Sequence, residues 1–154
     1  MLSNNKKLLA ALDGNAIPLS SVPDEVFSSG MLGDGFAIDP ASGNVYSPVN
    51  GHIDSVTDTR HAYTIHSDDG LDILVHIGID TVTLGGDGFI SLVEPGDAVR
   101  AGDIIARVDL DHIKKNGLSP ISPVIIANHD TLRHYDFKPG QVRGGKSTVM
   151  TYKK

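Results

Sequence analysis

HAYTIHSDDGLDILVHIGIDTV, residues 61–82, is the stretch on which the fold turns. Two runs rich in Ile, Val and Thr flank Asp69 and Gly70, a pair that favours a two-residue type I′ hairpin because both central positions need positive φ. If Asp68 pairs with Leu71, Tyr63 lies opposite His76 and His61 opposite Gly78. Side chains alternate with period two, so His61, Tyr63 and Ile65 would then share a face with Leu74, His76 and Gly78. His61 and His76 become diagonal neighbours, about 7–8 Å apart at the backbone, while His66 falls on the opposite face. A three-residue loop closing with Gly70 in a bulge is the alternative; it shifts the register by one and separates the pair.

The rest of the chain punctuates in the same way. Seventeen glycines and eight prolines among 154 residues separate short Val-, Ile- and Thr-rich runs, the rhythm of an antiparallel β-sandwich or barrel. Strands are expected over 15–19, 35–38, 44–47, 51–57, 61–66, 71–77, 88–93, 103–108, 121–127 and 147–152. One stretch reads as helical: Asp109 can cap it, Leu110 and Ile113 share a face, and Gly117 can close it. GDGF occurs at 33–36 and again at 86–89, which reads as two similar turns. A chain of this length fits one domain over 1–154 with a core of its own.

Composition removes several functions. The chain has no cysteine, which excludes disulfides, thiolate metal sites and cysteine nucleophiles. A net charge of -6 argues against nucleic acid, which demands a basic face. The apolar run LLAAL, residues 8–12, is ended by Asp13 and is too short for a signal segment or a membrane span. A cytoplasmic protein without membrane insertion is expected.

Two histidines on one face raise a question of chemistry. An imidazole with a pKa near 6.5 can serve as nucleophile, acid or base, or metal ligand, and local pattern does not choose among these. His76 on its own also reads as a hydrogen-bonded core histidine. His52, His112, His129 and His134 lie in strand-edge, helix or loop contexts without spaced partners and are expected to face solvent.

The segment VYSPVNGHIDSVTDTRHAYTIHSDDGLDILVHIGIDTV, residues 45–82, resembles the glucose-type IIA domain of the bacterial sugar phosphotransferase system. The likeness continues in family order through IPLSSVPDEVF at 17–27, LGDGFAIDP at 32–40, GFISLVEPGDAVRAGD at 88–103 and SPVIIAN at 122–128. It implies an antiparallel β-sandwich with at most one or two short helical turns, related to the barrel-sandwich hybrids. It implies that His76 accepts a phosphoryl group from phospho-HPr and passes it to a cysteine of a permease's IIB domain. His61 would stabilise the phosphate, Thr59 would orient His61, and the Gly78 carbonyl would hold the His76 ring. Asp34, Phe36, Ile38, Asp80 and Val82 are expected to form the partner-binding rim and floor, although Asp80 equally reads as a turn residue. Thr57 departs from the bulky apolar residue common at its position.

No cofactor is expected. Regulatory binding to metabolic enzymes or permeases is a further role that the resemblance implies. Two alternatives come from other classes. SPVNGHI and VEPGDAVRAGDIIARV resemble the hairpins of biotinyl and lipoyl carriers, but no lysine lies between Lys7 and Lys114 to carry a cofactor. A zinc hydrolase of lysostaphin-like architecture would need three protein ligands, and the close H-x-H of those enzymes is absent, leaving His61 and His76 as an adventitious zinc pair.

Overall fold

The computed structural model describes residues 6–154, so residues 1–5 of the expected 1–154 domain lie outside the described residues. Fourteen strands follow in chain order: β1 (Lys6–Leu9), β2 (Gly14–Pro18), β3 (Asp34–Pro40), β4 (Asn44–Tyr46), β5 (Gly51–Val56), β6 (Ala62–Ser67), β7 (Asp72–His76), β8 (Phe89–Ser91), β9 (Ala98–Val99), β10 (Ile104–Val108), β11 (Ser122–Ile126), β12 (His134–Phe137), β13 (Gly140–Val142) and β14 (Thr148–Lys153). Two short helices, α1 (Glu25–Ser28) and α2 (Leu110–Lys115), and three 3₁₀ turns interrupt them. The strands build an eight-stranded sheet in the order β13-β2-β3-β11-β7-β6-β5-β9 and two three-stranded sheets, β1-β14-β12 and β4-β10-β8. The paired strands are antiparallel.

The principal core lies between these sheets. β6 and β7 send Tyr63, Ile65, Ile73 and Val75 inward, where they pack with Phe36 and Ile38 of β3, Val124 and Ile126 of β11, Leu8 of β1 and Val45 of β4. β3 and β11 lie in the middle of the large sheet and bury both faces. Their outward side chains Ala37 and Ile125 join Leu19, Val22, Phe27 and Ile79 in a second cluster, with Leu74 packed against it. The segment 19–28 is thus a cap over the outer face of the sheet. Asp24 starts α1 by accepting from the Val26 N–H at 2.9 Å, which turns Phe27 down onto the sheet.

The hairpin register differs from the two-residue reading. Ala62 pairs with His76, Tyr63 with Val75 and Ile65 with Ile73. Ser67 donates its N–H to the Leu71 carbonyl at 2.8 Å, and Gly70 donates to the Ser67 carbonyl at 3.0 Å. Residues 68–70 therefore form a three-residue loop with Gly70 at φ 94°. The Ser67 hydroxyl accepts the Leu71 N–H at 2.8 Å, a side-chain bond that favours the longer loop. His66, paired with Asp72, consequently shares the outer face with His76 rather than taking the opposite one.

Other expectations are corrected as well. β1, β9, β12, β13 and α1 were not expected; they are short, and β12 and β13 mix polar with apolar residues without a sustained Val-, Ile- or Thr-rich run. The two GDGF sequences are not similar turns: Gly35 stands inside β3, where a Cβ would come 2.0 Å from the Val124 carbonyl oxygen, whereas residues 86–88 form a loop with Gly86 and Gly88 at positive φ. α2 does run from an Asp109 cap to Gly117 at positive φ.

The Gly70 conformation supplies a test. A side chain at this left-handed position costs about 1–2 kcal/mol, and the nearest atom to a Cβ there is the flexible Lys154 ammonium, so crowding adds little. Gly70→Ala should lower the thermal midpoint by several degrees while leaving the His61 and His76 ring resonances in place. Calorimetry with histidine NMR checks both.

Candidate functional site

His76 is the last residue of β7, and its position is set by the segment that follows. Its Nδ1 lies 2.7 Å from the Gly78 carbonyl oxygen. A carbonyl only accepts, so Nδ1 carries the proton and donates it, which leaves the lone pair on Nε2. Gly78 is at φ 75°, and a Cβ there would lie 2.5 Å from Thr81 Cγ2 and 3.1 Å from the Ser119 carbonyl oxygen. The buried Thr81 hydroxyl donates to the Ile77 carbonyl at 2.6 Å, and the Gly78 N–H donates to Ser122 Oγ at 3.2 Å. The chain from His76 to Thr81 is thereby fixed in a tight turn that returns a carbonyl to its own histidine.

His61 stands at a bend just before β6. The turn at 57–60 closes with the Arg60 N–H on the Thr57 carbonyl at 2.8 Å, and Arg60 is at φ 58°. The Ile77 N–H bonds the His61 carbonyl at 2.7 Å, tying the bend to the end of β7. The His61 and His76 ring centroids are 5.0 Å apart at 79°, edge to face. The shifted register therefore does not separate them, because the bend takes His61 out of the strand's alternation.

Two threonines hold the His61 ring and backbone. Thr59 Oγ1 is 2.6 Å from Nδ1 and Thr57 Oγ1 is 3.3 Å from it. Thr57 Oγ1 also accepts the N–H groups of His61 and Ala62, at 3.1 and 3.2 Å. A bulky apolar residue at 57 could not accept either proton. The sequence singled out Thr57 only as a departure; its use as an anchor for the bend was not legible there.

Burial dominates the electrostatics. It lowers the His61 pKa to about 4, with the neighbouring His76 contributing in the same direction. The His76 pKa is also lowered by burial, against the opposing influence of the Gly78 hydrogen bond and of Asp24 and Asp80. Near neutral pH both rings are uncharged.

The surroundings divide the expected partner residues. Phe36 and Ile38 are fully buried in the principal core and offer no surface to a partner, because β3 is covered on both sides. Asp34 is half-buried, accepting from the Tyr135 hydroxyl at 2.5 Å and from the Gly35 N–H at 2.8 Å. Asp80 and Val82 are exposed. Asp80 takes a left-handed conformation before the 3₁₀ turn, and its carbonyl accepts the Thr83 N–H at 3.2 Å, while its side chain makes no cap. Sequence reasoning missed Phe27, whose ring centroid lies 4.9 Å from that of His76, and Asp24 beside it. The available signal was DEVF at 24–27, in which a leading Asp can cap a short helical turn. Val26, beside Phe27 in α1, and Val82, in the 3₁₀ turn after Asp80, are exposed apolar side chains.

The remaining histidines are less isolated than expected. His112 Nε2 is 3.0 Å from Asp87, His134 Nε2 is 3.1 Å from Asp136, His52 faces His66, and His129 Nδ1 is buried without a hydrogen-bond partner among the described residues.

Residues 6–132 match the family described as phosphoenolpyruvate-dependent sugar phosphotransferase system, EIIA 1. Glucose-specific EIIA components from two strains of Staphylococcus epidermidis are each 46% identical over 129 residues, covering 84% of this chain and 78% of theirs. The solved structure of glucose permease IIA from Mycoplasma capricolum superposes with a TM-score of 0.89 at 41% identity, covering 98% of this chain and 97% of that one. The chain belongs to the IIA family of the sugar phosphotransferase system, and its antiparallel β-sandwich is the fold of that family. A zinc hydrolase is not favoured by these likenesses. Among the described residues, no helix is long and apolar enough to cross a membrane.

The depressed His61 pKa has a consequence for stability. A folded value near 4 against 6.5 for the free side chain means that the unfolded chain binds more protons between those pH values. Stability should therefore fall as pH drops from about 6.5 towards 4, and His61→Gln should flatten that part of the curve. Denaturant unfolding across this range measures it. A second expectation concerns the bend: Thr57→Val leaves two N–H groups without their acceptor and should cost about 1–3 kcal/mol. The His61 ring resonances should shift with it, whereas a variant on the far edge strand, such as Gln141→Ala, should leave them unmoved.

Proposed function

We propose that the chain is a cytoplasmic phosphoryl relay, a single IIA domain, in which His76 takes the phosphoryl group of phospho-HPr and passes it to a cysteine of the IIB domain of a sugar permease. The observation that carries this reading is the Nδ1–H bond from His76 to the Gly78 carbonyl at 2.7 Å. It aims the Nε2 lone pair and stabilises the positive charge that the ring acquires when Nε2 becomes bonded to phosphorus.

In the accepting step the Nε2–P bond forms as the N–P bond on the donor histidine breaks, with the two nitrogens in line across a loose transition state. The transferred group brings nearly two negative charges. His61, 5.0 Å away and uncharged beforehand, is the adjustable partner. With the Thr59 hydroxyl donating to its Nδ1, His61 presents Nε2–H to a phosphate oxygen, and the phosphate's charge raises its pKa in return. In the second step the Nε2–P bond breaks as a cysteine thiolate of IIB takes the phosphoryl group, and His76 returns to its neutral, Gly78-bonded form. Both partners would dock on one surface, with exposed Val82 and Val26 as apolar contacts and Asp80 and Asp24 as acids beside them. Binding to metabolic enzymes or permeases would use the same surface. Because the relatives are named glucose-specific, glucose uptake is the first system to test.

Incubation with phosphoenolpyruvate, enzyme I and HPr, followed by intact mass, tests the reading directly. One acid-labile phosphoryl group should be added. His76→Gln should abolish it while the fold survives. His61→Gln keeps the nucleophile, so acceptance should persist, slowed, while transfer to IIB falls by a larger factor because the departing phosphoryl loses a partner able to take charge. Equal large losses in both half-reactions would make His61 a builder of the site. Unchanged onward transfer would make it a structural neighbour.

A further inference from the structure

We propose that His52 and His66 form a second site, a surface chelate for a divalent transition-metal ion such as Zn²⁺, Ni²⁺ or Cu²⁺. The inference does not depend on the phosphoryl relay. His52 of β5 and His66 of β6 are direct partners in the ladder, and residues so placed have Cβ atoms about 4.5–5.5 Å apart on the same face. Their ring centroids are 5.5 Å apart with planes inclined at 47°, close enough for one nitrogen of each ring to reach a common ion at the usual metal–nitrogen distance of about 2.0–2.1 Å.

A third residue prepares the pair. On the neighbouring strand β7, Asp72 pairs with His66, and its Oδ1 lies 2.8 Å from His66 Nδ1. The carboxylate accepts a hydrogen bond from Nδ1–H and leaves the Nε2 lone pair free, the arrangement by which a carboxylate fixes the tautomer and ring orientation of a ligating imidazole. Three adjacent strands thus supply two ligands and one orienting acid, all placed by sheet register, so that no backbone rearrangement is needed to bring them together. His52 is exposed and the His66 side chain is 45% exposed, so water can complete the shell and an ion can enter and leave freely.

The ligand set limits the chemistry. Two imidazoles suit late first-row ions, with Cu²⁺ binding most tightly in the usual order, and do not suit Mg²⁺ or Ca²⁺, which require oxygen donors. Among the described residues, no group of three or more His, Cys, Asp or Glu side chains stands in a metal-holding arrangement. The site is therefore a two-ligand, exchangeable one and not a closed structural centre. It lies on the outer face of β6, four residues along the strand from the partner of His76, a separation of about 13 Å at ~3.3 Å per residue.

Titration of the full chain with Zn²⁺, followed by the ring nitrogens of each histidine in ¹⁵N NMR, tests this site separately from the His61 and His76 rings. The His52 and His66 nitrogens should shift together and saturate with one ion. His66→Ala should remove the His52 shift at the same Zn²⁺ concentration, and His52→Ala should remove that of His66. Asp72→Asn should weaken the binding by about 10-fold while both rings still respond. The amide spectrum shows whether each variant keeps its fold, and acceptance of phosphoryl should stay within about twofold of the parent for the His52 and His66 variants. The proposal is overturned if the two rings respond at different Zn²⁺ concentrations, if His52 binds equally well without His66, or if neither moves while other histidines saturate.

Discussion

The hydrogen bond from His76 Nδ1 to the carbonyl two residues further on is the constraint around which this molecule is arranged. A histidine at a strand end can normally turn its ring and exchange the proton between its nitrogens. Here the backbone turns back at Gly78, in a conformation and a space that exclude a side chain, and presents a fixed acceptor. That turn is in its own right held by the Thr81 and Ser122 hydroxyls. One ring nitrogen is therefore committed to the protein and the other is left free, and the commitment is made by main chain, which a partner's approach disturbs less than it would a side chain.

The sandwich explains how such a polar arrangement survives beside a core. The inner face of β6 and β7 belongs wholly to the principal cluster, while His76 projects from the outer face next to the smaller cap formed by residues 19–28. Phe27 covers one side of the ring and His61 stands at its edge. This enclosure keeps both imidazoles uncharged, which favours nucleophilic nitrogen over resident positive charge. Asp24 and Asp80 act in the opposite direction on His76. Burial outweighs them, and the His76 pKa is lowered on balance.

Much of this was legible in the sequence, for reasons that differ by element. The strands of the hairpin follow from Val, Ile and Thr around Asp69 and Gly70, and α2 from its Asp109 cap, because these are local signals. The loop length was not local in the same sense: the Ser67 hydroxyl bonds the Leu71 N–H and draws the turn out to three residues. His61 met His76 by way of the bend at 57–61, which the period-two argument does not describe. Phe36 and Ile38 were placed at the partner surface by the family resemblance alone; they lie on the inward face of β3, within the principal core. The pairing of His52 with His66 depended on the β5–β6 register, which contains an irregularity between Ile53 and Ser55 that no pattern announces.

In the proposed relay, Gly78 reserves Nε2 of His76 for phosphoryl transfer. The direct measurement is ¹⁵N and ³¹P NMR of the chain after phosphorylation by phospho-HPr, with the histidines ¹⁵N-labelled. One phosphohistidine is expected, with phosphorus coupled to Nε2 of His76 and Nδ1 still protonated. Phosphorus on Nδ1 of His76, or on His61, would contradict it.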